Sequence, residues 1–152
     1  MRGTRGMRRR APAWLVALAL LVAVAGCGVK TATPVDRARV AALSVGDLAL
    51  TLTNAEWAVW DARVPGYSPE DHARVGRAIT GVLRGAQAFE RAVVEMPADA
   101  QVIPDTVLAA QRAVVAGLDD LVAGLPALEG VRRPILVAAE ALRAALLAWR
   151  MS

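Results

Sequence analysis

Between Pro69 and Pro97, apolar residues recur at Val75, Ile79, Val82, Ala86, Phe89, Val93 and Met96, in alternating steps of four and three. An α-helix, with about 3.6 residues per turn, brings all of them to one side, whereas a strand would divide them between two faces. A helix with such a stripe must bury it against something. Three further segments offer matching stripes. The first runs from about Pro34 to Arg63, with Ala41, Val45, Leu48, Leu52, Ala55 and Val59. Another runs from about Asp105 to Gly124, with Val107, Ala110, Val114, Leu118 and Leu121. The last ends near Arg150, with Ile135, Ala138, Leu142, Ala145 and Trp149 directed inward.

The boundaries carry their own signals. Thr33 and Ser68 suit N-caps, each followed by a proline at the first helical position and by acids in the first turn (Asp36, then Glu70 and Asp71). Val64-Pro-Gly-Tyr-Ser68 reads as a turn, Pro97 to Pro104 as a connection that has room for one helical turn, and Leu125-Pro126 as a second turn. Pro134 either starts the fourth helix or kinks it. No segment alternates with period two for long. The expected fold is therefore all-α, an up-down-up-down four-helix bundle over residues 34–152, with small seam residues (Ala41, Ala55, Ala86, Ala110, Ala138) allowing close helix approach.

The N-terminus is built differently. Five arginines (Arg2, Arg5, Arg8, Arg9, Arg10) precede the apolar run Trp14 to Ala25, and small residues follow it. This is the three-part pattern of an export signal. Twelve apolar residues are too few to span a bilayer, which takes about 20. Val24-Ala25-Gly26-Cys27 resembles the bacterial lipobox, with valine where leucine is commoner. The resemblance covers about residues 1–28. It implies a lipoprotein precursor: residues 1–26 are a cleaved signal peptide, Cys27 receives a diacylglyceryl group and a further acyl chain, and 27–33 tether the bundle. Gly28, not aspartate, follows the cysteine, which implies the outer membrane facing the periplasm in a Gram-negative cell, and otherwise the outer face of the cytoplasmic membrane. Cys27 is the only cysteine, so neither an intramolecular disulfide nor a thiolate metal cluster can form. Two or three acyl chains give the stable anchoring that one chain does not.

Charge follows the same division. The formal net charge is +4, but removal of residues 1–26 leaves 13 basic against 14 acidic residues. A basic excess confined to the signal is no argument for a nucleic-acid partner.

Catalytic side chains are scarce. Beyond the signal there are one histidine, His72, three serines and one tyrosine. Ser68 and His72 are four apart, but Ser68 is better used as an N-cap. Glu70-Asp71-His72 gathers three possible metal ligands, yet neighbours one and two apart do not share a helix face, and pairing of Asp71 or Glu70 with Arg74 explains them. Asp119-Asp120 read as solvated. The expectation is no enzyme, no metal and no cofactor other than the lipid on Cys27. Arg77, Arg84 and Arg91 recur every seven residues; they form a solvated face or a contact for anionic head groups or an acidic partner.

Leu43, Leu50 and Trp57 form a second apolar row on the first helix, roughly opposite its stripe. Such a helix is either broadly buried between two neighbours or contacts something else. With Trp60 and Tyr67, residue types favoured at interfaces, these side chains are the candidate partner contact. In an upright bundle Trp57, Trp60 and Tyr67 lie at the end far from the anchor, and Trp149 and Arg150 lie near it. The expected function is a lipid-anchored, non-enzymatic envelope module that acts by contact with an envelope protein or a second copy. The alternative is a carrier of a small apolar ligand or lipid between the helices. Small lipoproteins of phage and prophage regions share the size and style without a shared motif.

Overall fold

The computed structural model describes residues 33–151. The lipobox residues Val24, Ala25, Gly26 and Cys27 lie outside the described residues, as do the side chains of Trp149 and Arg150. Among the described residues there are four helices and no strand: α1 (Pro34–Asp61), α2 (Pro69–Val94), α3 (Asp105–Gly124) and α4 (Glu129–Met151). The chain is an all-α four-helix bundle. α1 packs between α2 and α4, α2 packs against α3, and the α3–α4 seam is the thinnest.

Local chemistry sets the helix starts. Thr33 and Asp36 form a capping box: the Asp36 N–H donates to Thr33 Oγ1 at 3.1 Å, and the Thr33 N–H donates to Asp36 Oδ2 at 3.2 Å. Thr33 Oγ1 also donates to Asp36 Oδ2 at 2.8 Å, and this bond first, then the one from the Thr33 N–H, holds the Asp36 carboxyl below its ordinary range. Ser68 caps α2, accepting from the Asp71 N–H at 3.1 Å. α1 ends at Asp61 and α2 at Val94, so Met96, although buried, follows the helix. Pro97 to Pro104 holds turns and no helix. α4 begins at Glu129, so Pro134 sits inside its first two turns and does not start it. There it removes the bond its N–H would make to the Gly130 carbonyl and crowds that carbonyl.

The core contains every residue of the α2 stripe: Val75, Ile79, Val82, Ala86, Phe89, Val93 and Met96. On α1 the expected Ala41, Val45, Leu52 and Val59 are buried, while Leu48 and Ala55 are half-buried; the buried face extends instead to Val35, Ala38, Ala42, Ala49 and Glu56. α1 uses small residues because α2 and α4 crowd both its flanks. Ala110 and Ala145 are likewise half-buried, and Gln111 and Leu146 take the inner positions. That pair explains how a thin α3–α4 seam holds: Gln111 Nε2 donates to the Leu146 carbonyl, and Arg143 pairs with Asp119 across the surface. Asp119 is thus engaged, not merely solvated.

Close approach of α2 and α3 depends on two glycines. A Cβ on Gly85 would lie 3.3 Å from Val114 Cγ2 and 3.5 Å from its Cα, and one on Gly117 would lie 3.5 Å from Val82. Gly81, on the same helix, faces open space. Gly85→Leu should lower stability by about 1–3 kcal/mol through overpacking, whereas Gly81→Ala should be neutral or stabilise by up to about 1 kcal/mol. Denaturant unfolding followed by circular dichroism measures both; equal effects would show that the interhelix distance is not set at Gly85.

Candidate functional site

The turn between α1 and α2 builds the most distinctive cluster in the bundle. Val64-Pro65-Gly66-Tyr67 closes with the Tyr67 N–H donating to the Val64 carbonyl at 3.0 Å. Gly66 has φ +83°, the backbone a type II turn requires at its third residue, with proline at the second. A Cβ on Gly66 would lie 3.5 Å from Leu128 Cδ2, in the neighbouring α3–α4 turn. The turn reverses the chain and lays Tyr67 back on α1. The Ser68 cap then starts α2 so that His72, one turn in, faces α1.

Both side chains meet Glu56. Its carboxylate is buried in the α1 seam, with 3% of the residue exposed. Tyr67 Oη donates to Glu56 Oε1 at 2.9 Å, and His72 Nδ1 approaches the same oxygen at 2.5 Å. A buried carboxylate without partners would be costly. Here one oxygen receives a phenol and an imidazole, and the two donors come from beyond α1. Burial first, then the bond to Glu56, then the charge of Glu56 hold the Tyr67 phenol well above its ordinary pKa of 10.0.

Aromatic rings enclose the histidine. Trp60 stacks on His72 with centroids 4.1 Å apart and planes 11° from parallel. Trp57 meets the imidazole edge-on at 5.4 Å, and Tyr67 meets it at 6.3 Å. A groove between α1 and α2 opens beside this cluster, lined by Thr53, Trp57, His72, Gly76, Arg77 and Thr80. Arg77 therefore borders the groove, while Arg84 and Arg91 continue along the exposed face of α2.

The expected contact residues fall in two groups. Leu43, Leu50 and Trp57 are exposed at 68%, 58% and 51%, and Val40 joins them at 56%. The broad burial of α1 between two neighbours does not extend to this row. Trp60 is half-buried, and Tyr67 is buried with its hydroxyl turned to Glu56. Trp57 belongs to both groups, since it stands in the exposed row and its edge braces His72.

Other candidates resolve simply. Ser68 Oγ donates to Asp71 Oδ2 at 3.0 Å, and Asp71 pairs with Arg74, so neither is directed at His72. Among the described residues no group of three or more potential metal ligands comes together, and no helix is long and apolar enough to cross a membrane. Glu56 itself was not singled out from sequence. Its signal is positional: it occupies a step of the 38-42-45-49-52-56-59 series, whose other members are all apolar.

Tyr67 makes the cluster sensitive to alkali. Below pH 10 its phenol is neutral both folded and unfolded. As the pH rises past 10, the unfolded phenol ionises first while the native one holds its proton, so stability falls with rising pH. Tyr67→Phe should remove this alkaline loss and cost about 1–3 kcal/mol at neutral pH, where the Glu56 bond is lost. Urea unfolding at several pH values tests this; an unchanged alkaline slope in the variant would contradict it.

The chain matches no protein-family model, no curated protein and no solved structure. A functional reading therefore rests on the residues themselves.

Proposed function

We propose that this is a lipid-anchored envelope module that works by contact, not catalysis, and that the exposed row on α1 is its contact surface. The observation that carries the reading is the row itself: Val40, Leu43, Leu50 and Trp57 stand exposed on a helix whose opposite side is fully used by the core. Scattered exposed apolar residues need no explanation, but a row along one helix marks an interaction surface. Trp57 is a suitable anchor because its ring is already braced against His72, so little side-chain freedom is lost on binding.

Anchoring is the second part of the proposal and rests on the N-terminal sequence. A chain acylated at Cys27 meets its partners within one membrane surface, which raises their effective concentration and lets a modest surface suffice. The carrier alternative has less support. The two grooves beside the α1–α2 turn are open to solvent at the surface, and the seam alanines Ala41, Ala86 and Ala138 are buried within the core.

Replacing Leu50 and Trp57 together by glutamine should abolish association in the native membrane, read by crosslinking and the size of the solubilised complex, while helical circular dichroism is retained. Unaltered association would contradict the proposal. Cys27→Ala should move the chain from the membrane to the soluble fraction; a variant that stays in the membrane would contradict the anchor.

A further inference from the structure

The exposed row of α1 has a symmetry of its own about Leu50. Leu43 and Trp57 lie seven residues on either side, Gly46 and Asn54 four, and Arg39 and Asp61 eleven. At about 100° per residue, Arg39, Leu43, Trp57 and Asp61 all fall within about 20° of the Leu50 direction, and Gly46 and Asn54 within about 40°. All of these except Gly46, which is half-buried, are exposed. Arg39 and Asp61 form no salt bridge within the chain among the described residues.

We propose that a second copy of this chain docks on α1, antiparallel, with a two-fold axis passing beside Leu50. This names the partner for the contact surface proposed above and rests on that reading. A two-fold pairing is self-complementary by construction. Here it sets Leu50 against Leu50 and Leu43 against the partner's Trp57. It also brings Arg39 of each copy to the partner's Asp61, so two opposite-charge pairs close the ends of the contact. The parallel alternative would set Arg39 against Arg39 and Asp61 against Asp61, which repel. Asp47 lies about 60° off the line and is not brought against another carboxylate.

Gly46 lies on the same face, and like Gly76 and Gly81 of α2 it is open. A glycine inside a helix costs about 1 kcal/mol relative to alanine, and a Cβ at Gly46 would meet nothing within 4 Å. Packing within one copy thus gives no reason for glycine there.

The contact from Arg39 to Asp61 runs about 33 Å along each helix. An axis across the helices sends the two α1 N-termini to opposite ends of the pair, about 48 Å apart. Copies anchored in one membrane then lie with their helices along its surface.

The test is site-directed crosslinking of the full-length chain in its own membranes, with a short bis-maleimide linker and the wild-type chain as control for Cys27. Leu50→Cys should give a homodimer, since its two copies meet at the axis. Leu43→Cys alone should not, because its two copies are about 21 Å apart along the helices, whereas Leu43→Cys mixed with Trp57→Cys should. Arg39→Glu should reduce the Leu50→Cys crosslink several-fold, and adding Asp61→Arg should restore it. A strong Leu43→Cys homodimer would overturn the antiparallel register. A Leu50→Cys adduct with a different protein would overturn the second copy as partner but leave the contact module standing. No adduct from Leu50→Cys with anything would overturn both.

Discussion

One buried carboxylate organises the α1–α2 end of this bundle. Glu56 sits on the inward line of α1, where every other occupant is apolar, and it is kept there by a phenol and an imidazole that share one of its oxygens. Neither donor is local to α1. Tyr67 arrives through the type II turn at Pro65-Gly66, and His72 through the Ser68 cap that fixes where α2 begins. The turn, the cap and the first turn of α2 are therefore tied to one point on α1. A change at any of them leaves the Glu56 carboxylate short of a partner inside the protein, which is a larger penalty than the loss of an exposed ion pair.

The same cluster governs what the surface can offer. Trp60 stacked on His72 is half-buried and belongs to the clamp, whereas Trp57, edge-on to the same ring, is half in the clamp and half in the exposed row. Orientation of Trp57, the one exposed aromatic side chain among the described residues, is thereby coupled to a hydrogen-bond network inside the bundle. Farther down α1 no polar clamp is present among the described residues, and the row of Leu50, Leu43 and Val40 is held only by the rigidity of the helix, whose inner side is densely packed by Ala38, Ala42, Val45 and Ala49.

Much of the fold was legible in the sequence because periodicity and punctuation agreed. The α2 stripe was recovered entire, and both proline-after-cap signals mark real helix starts. The differences have more than one physical source. On α1, alanines such as Ala38, Ala42 and Ala49 carry little hydrophobic signal beside Leu48, although close packing favours them; on α3 and α4 the inner places go to Gln111 and Leu146, because the bond between them holds that seam. Pro134 was ambiguous because an early-helix proline and a first-position proline look alike until the preceding backbone is seen. For the site, Trp57, Trp60 and Tyr67 could be named from residue type alone, but their convergence on Glu56 could not. Residues eleven and sixteen positions from Glu56 meet it only because the turn has the shape it has.

Central to this account is that Glu56 and His72 hold each other, so that the α1–α2 end is one cooperative unit and not a set of neighbours. A double-mutant cycle with Glu56→Ala, His72→Ala and the double variant, read by urea unfolding at neutral pH, measures that coupling directly. The account predicts a coupling of about 1–3 kcal/mol, with the double variant more stable than the sum of the single losses implies. Losses that add to within about 0.5 kcal/mol would contradict it, and would reduce the cluster to side chains that are adjacent but independent.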